Sequence, residues 1–138
     1  MSQQLTSYDD LLQLARAQPN PQRLLFVFTQ AEIEPDANEM QKADFDAGNG
    51  GLLKPIMCVD KPLDELSTFN DLVEESVKTG QAWTVVFVAC LSGYGNRMPS
   101  SEDANKPLDS MINSINQGMV SQYLAFNREG ELLSLELS

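Results

Sequence analysis

Residues 83–97 read WTVVFVACLSGYGNR, and the fold turns on that stretch. Val85 to Leu91 are apolar without a break, β-branched and aromatic types are prominent, and no charge occurs from Thr79 through Asn96. A run apolar on both of its alternating faces predicts a strand covered from both sides, as in α/β proteins. A membrane-spanning helix needs ~20 apolar residues. Here the apolar part ends at Leu91, with Gly80, Gln81, Ser92, Gly93 and Asn96 around it, so no membrane span is expected. The bracketing glycines also leave too little length for a buried helix.

Working outward, Thr68–Thr79 predicts a helix with Phe69, Leu72, Val73, Ser76 and Val77 on one side. Ser67 or Thr68 caps it and Gly80 stops it. Before it, Leu53–Val59 reads as a strand that Asp60-Lys61-Pro62 ends, and Arg23–Gln30 (RLLFVFTQ) as another interior strand. Tyr8–Ala17 has the spacing of an amphipathic helix, capped by Ser7, with Asp9 and Asp10 in the first turn. The acidic segment from Glu32 to Asp46 is a loop, or carries a helix over Asp36–Ala47 opened by Pro35. Downstream, Glu102–Gln117 predicts a helix whose regular part starts near Lys106, because Pro107 belongs in a first turn. Gln122–Asn127 and Glu131–Leu137, joined by Arg128-Glu129-Gly130, predict a hairpin. Alternating strands and helices predict one α/β domain over 1–138. Its mixed, mostly parallel sheet has about five strands, flanking helices and a C-terminal β-hairpin at one edge.

The chain has 138 residues and a net charge of −11, and a chain of this length buries roughly 68% of its unfolded surface without needing staples. The bases are scattered, so no nucleic-acid footprint is expected. The acidity reads as solubility, with a basic partner as the sharper alternative. MSQQLTSYDD, at the N-terminus, lacks the basic and apolar regions of a signal peptide, which predicts a cytoplasmic protein. Cys58 and Cys90, each inside an apolar run, read there as reduced, packed thiols.

Chemistry is narrowed by the absence of histidine, the commonest general base and transition-metal ligand. Gly93-x-Gly95 meets Met98 where a dinucleotide loop has its third glycine. Gly48–Gly51 with Lys54 runs into Pro55 and a strand, not a helix. No cofactor is therefore expected. Ser92 has Cys90 where a nucleophile elbow has glycine. The acid pairs Asp9-Asp10, Glu74-Glu75 and Glu102-Asp103 read as solvated helix faces, so no metal and no catalytic residue is assigned.

What remains is geometric. Ligands of open parallel sheets bind beyond the carboxyl ends of the strands. With three parallel strands, that edge gathers Thr29, Gln30, Asp60, Lys61, Ser92, Tyr94, Asn96 and Arg97 as candidate ligand-binding residues, ordinary loop polarity being the alternative.

RLLFVF (23–28), MCVDK (57–61), FVACLSG (87–93) and AFNREGE (125–131) resemble a group of small bacterial proteins often labelled ribonucleotide reductase subunit alpha. The resemblance implies a cytoplasmic bacterial domain. It carries over no catalytic residue, because genuine catalytic subunits form a large barrel and use a set of cysteines for radical and disulfide chemistry. This chain has two cysteines in different strands and no room for that barrel. The expectation is a non-catalytic binding module with a protein partner, using the strand-end edge or the acidic segment. The alternative is a small enzyme or ligand binder using Asp60, Ser92, Tyr94 and Arg97, with Cys90 or Ser92 as the reactive group.

Overall fold

Leu24 through Thr29 are sealed from solvent on both sides, and they form the middle of β1 (Gln22–Glu32). This strand pairs with β2 (Leu52–Pro62) on one flank and with β3 (Val85–Ser92) on the other, both antiparallel. The sheet order is β2-β1-β3-β4-β5, with β4 at Leu124–Phe126 and β5 at Leu132–Leu133, and every neighbouring pair is antiparallel. The computed structural model describes residues 7–32, 52–80, 82–117, 119–120 and 123–133. The helix expected over 36–47 lies outside them, as does almost all of the acidic segment.

The expected mostly parallel sheet is therefore overturned. Helices on both faces, not strand direction, bury the apolar runs. On one face α1 (Tyr8–Arg16) and α2 (Phe69–Val77) cover Leu24, Phe26, Phe28, Val86, Val88 and Phe126. On the other, α3 (Ser101–Asn116) covers Leu25, Val27, Val85, Phe87 and Ala125. Two reversals leave β2 and β3 pointing the same way, with β1 running against them between.

Local chemistry sets the element ends. Ser7 and Thr68 cap α1 and α2 by accepting the amide hydrogens of Asp10 and Asp71. A capping box opens α3: Ser100 Oγ accepts from Asp103 N at 3.0 Å, and Asp103 Oδ2 accepts from Ser100 N at 2.9 Å. The box starts α3 at Ser101 rather than near Lys106, so Pro107 lies inside the helix. It leaves the Asp103 carbonyl without its usual donor four residues on. Asp60, Lys61 and Pro62 do not end β2 but continue it opposite Leu25, Leu24 and Arg23. The β1–β2 register shifts between Phe28, opposite Met57, and Thr29, opposite Pro55. A bulge beside a proline that has no N–H suits an edge strand. At the β4–β5 turn, Asn127 Oδ1 accepts from Glu129 N and Glu131 N, and Gly130 takes φ +82° with Phe69 against it.

Two buried polar side chains are treated differently. Trp83 donates its indole N–H to Ser76 Oγ at 2.8 Å, while the Arg128 guanidinium sits 5.0 Å from the ring centroid. Tyr8 packs edge-on against Phe69 and Phe126 and is 2% exposed, yet its hydroxyl has no hydrogen-bond partner among the described residues. Burial, then the Asp9 charge, push its pKa well above the ordinary tyrosine range.

Ser76→Ala strands a buried N–H and should cost about 1–3 kcal/mol. Tyr8→Phe removes an unpaired hydroxyl and should gain about 1 kcal/mol. Urea titrations followed by the single tryptophan measure both. Because the folded state keeps Tyr8 neutral, wild-type stability should fall as pH rises past about 10, where unfolded tyrosine ionises. Tyr8→Phe should lack that part of the loss.

Candidate functional site

The antiparallel topology divides the residues expected on one edge. The carboxyl ends of β2 and β3 meet the amino end of β1, so Asp60, Lys61, Ser92, Tyr94, Asn96 and Arg97 gather at one rim, joined by Gln22 and Arg23. Thr29 and Gln30 lie near the opposite end, opposite Val85 and Lys54. Thr29 is fully buried and donates to the Val85 carbonyl at 2.8 Å, a structural role that removes it from the site.

Within the rim, the sheet itself separates the polar groups. Residues directly paired across strands share a face. Asp60, opposite Leu25, is on the α3 face, where Arg23 Nε donates to its Oδ2 at 2.6 Å and Ser101 Oγ donates to the same oxygen at 2.7 Å. Arg23 Nη1 also donates to the Pro99 carbonyl at 3.3 Å, which ties the lead-in of α3 to β1. Lys61, opposite Leu24, is on the α1–α2 face and pairs with Glu75 of α2 at 2.5 Å. Ser92 faces the same way and accepts from Gln22 Nε2 at 2.6 Å. Asp60 and Ser92 therefore point away from each other through the sheet. They are not one constellation, and the sequence showed neither Arg23 nor Gln22 as their partners.

The loop after β3 is different. Gly93 is buried, donates to the Pro21 carbonyl at 2.9 Å, and lies so close to the returning chain that a Cβ there would stand 1.9 Å from the Arg97 carbonyl oxygen. Gly95 and Asn96 both have positive φ, 55° and 66°, and Arg97 N donates to the Tyr94 carbonyl at 2.8 Å. That is a type I′ turn, Tyr94-Gly95-Asn96-Arg97. It leaves Tyr94 88% exposed. Neither Tyr94 nor Arg97 has a side-chain hydrogen bond or ion pair among the described residues.

The turn stands between two open clefts. One, of about 330 Å³, is lined by Leu91, Ser92, Tyr94, Arg97, Pro99 and Asp103. The other, of about 450 Å³, lies under the end of α1 and includes Arg16, Gln22, Asp64, Asn96 and Met98. Hydrogen bonds from Ser100, backbone first and then side chain, hold the Asp103 carboxyl below the usual carboxylate range, with a smaller contribution from Arg97.

Both cysteines depart from the expectation of packed thiols. Cys58 and Cys90 are free and exposed; among the described residues β2 is an edge strand and β3 has no outer strand neighbour past Val88. Each sulfur is still crowded enough that desolvation pushes its pKa up, aided at Cys58 by Asp109 and Asp60. Among the described residues, no cluster of three or more cysteines and carboxylates that could hold a metal is present, and no helix is long and apolar enough to cross a membrane. Comparison with family models, with curated proteins and with solved structures finds no match in any of the three.

Asp60→Ala leaves the half-buried Arg23, its side chain 14% exposed, without its carboxylate and should cost about 2–3 kcal/mol. Lys61→Ala breaks a more exposed pair and should cost under about 1 kcal/mol; chemical denaturation separates the two. Asp103→Asn tests the cap. The folded carboxyl is depressed, so its stabilisation is present above the ordinary carboxylate pKa and lost as pH falls through the folded one. The thermal midpoint of the variant should be lower at pH 7 and should converge on wild type in strong acid.

Proposed function

We propose that this chain is a non-catalytic binding module that holds a protein partner against the rim at the end of β3, with Tyr94 and Arg97 as its anchors. The observation that carries the reading is the turn. A large aromatic and an arginine, neither with a side-chain hydrogen bond or ion pair among the described residues, are held out by a backbone that Gly93, Gly95 and Asn96 constrain. Tyrosine and arginine are enriched at the energetic centres of protein interfaces, and a rigid support lowers the entropy lost on binding. The other rim side chains support this by their engagement. Asp60, Lys61 and Ser92 are tied to Arg23, Glu75 and Gln22, which makes them the footing of the turn rather than contacts. A catalytic use of Asp60 with Ser92 is disfavoured, since the two face opposite sides of the sheet. The resemblance to small bacterial proteins supports a bacterial cytoplasm as the setting.

The test is capture from a lysate of the source organism, comparing wild type with a Tyr94→Ala/Arg97→Ala double variant. Both positions are exposed, so the variant should fold normally. Wild type should retain a defined protein in stoichiometric amount, and the double variant should lose it by at least about 30-fold, as removal of two anchors implies. No stoichiometric partner, or equal recovery by the variant, overturns the reading.

A further inference from the structure

One tripeptide holds both legs of the loop between β3 and α3. Pro21, Gln22 and Arg23 lie at the amino end of β1, where Gln22 is opposite Ser92. At the entry to the loop the Pro21 carbonyl accepts from Gly93 N at 2.9 Å, and Gln22 Nε2 donates to Ser92 Oγ at 2.6 Å. At the exit Arg23 Nη1 donates to the Pro99 carbonyl at 3.3 Å. Arg23 Nε donates at 2.6 Å to Asp60 Oδ2, the same oxygen that accepts from Ser101 Oγ at 2.7 Å. The legs meet at a waist, where a Cβ on Gly93 would stand 3.1 Å from Pro99 Cδ. Gly93 and Pro99 are buried there, and residues 94–97 beyond them are exposed.

The two legs are held by different means. Strand pairing with β1 runs to Ser92, so the entry is fixed by backbone register. The exit, at Pro99 and Ser100, lies between β3 and α3 and is tied by side chains. We propose that Arg23 is the positioning residue of the Tyr94 turn: acting through Pro99 and Asp60, it fixes the direction in which Tyr94 and Arg97 project toward a partner. The inference rests on the binding-module reading and adds what presets its anchors. A loop pinned at one leg pivots about that leg. Pinned at both, it has few other arrangements, and less entropy is lost when a partner engages. Charge alone does not do this. Lysine would keep a cation beside Asp60, but its compact ammonium does not span two acceptors as the Nε and Nη1 of one planar guanidinium do.

Three variants test the assignment: Arg23→Lys, Ser101→Ala, and Lys61→Ala as the control from the opposite face of the sheet. Nitrogen-15 relaxation reads the order of the 94–97 amides, and urea titration reads stability. The wild-type tip should have order parameters near the rigid-backbone value of about 0.85 and fall below about 0.7 in Arg23→Lys, with the β3 amides unchanged. Ser101→Ala removes one donor to Asp60 and leaves both charges, so it should move the same amides the same way by less. Lys61→Ala should leave them in place. An unchanged tip in Arg23→Lys, or one loosened equally by Lys61→Ala, overturns the proposal. The partner captured by wild type should bind Arg23→Lys about tenfold less tightly, because the tip must then be ordered on binding. Equal affinity with a loosened tip overturns the positioning role. A tip loosened in Arg23→Lys, where wild type captures no partner, upholds Arg23 as what positions the turn while the binding-module reading falls.

Discussion

Leu24, Phe26 and Phe28 face one helix layer, and Leu25 and Val27 the other. A backbone sealed on both faces has no water to satisfy its N–H and C=O groups, so it must be hydrogen-bonded along both edges. β1 meets that condition with β2 on one side and β3 on the other. Both neighbours run antiparallel to it, which sets the end of the molecule that collects their carboxyl termini. The rim is a consequence of that doubly paired strand.

The same strand explains why elements were legible and their arrangement was not. Val85–Leu91 and Arg23–Gln30 show themselves as strands because seven or so continuous apolar residues between turn formers have few other homes. Burial on both faces says that helices lie above and below. It does not say which way the neighbouring strand runs, since each residue meets the same apolar surroundings either way. The site inherited that ambiguity: reversing β1 moves Thr29 and Gln30 to the far end and brings Gln22 and Arg23 into the rim. No sequence pattern pairs Arg23 with Asp60 across a separation of 37 positions.

The cysteines show a second limit. Cys90 lies between Ala89 and Leu91 and reads as interior, yet it is exposed, and the described β4 on that side has three residues. The segment 122–127 suggested a strand twice that length. By contrast, the glycines at 93 and 95 were visible as a loop, and their physical need is now plain: one makes room for the Arg97 carbonyl, the other supplies positive φ.

Most polar groups of the rim are already used inside the fold. Ion pairs and hydrogen bonds within the rim occupy Asp60, Lys61, Ser92 and Gln22, and displacing any of them for a ligand would first cost the internal bond. Stability therefore draws on both edges of β1 and on the internal pairs of the rim, while Tyr94 at the turn is left exposed.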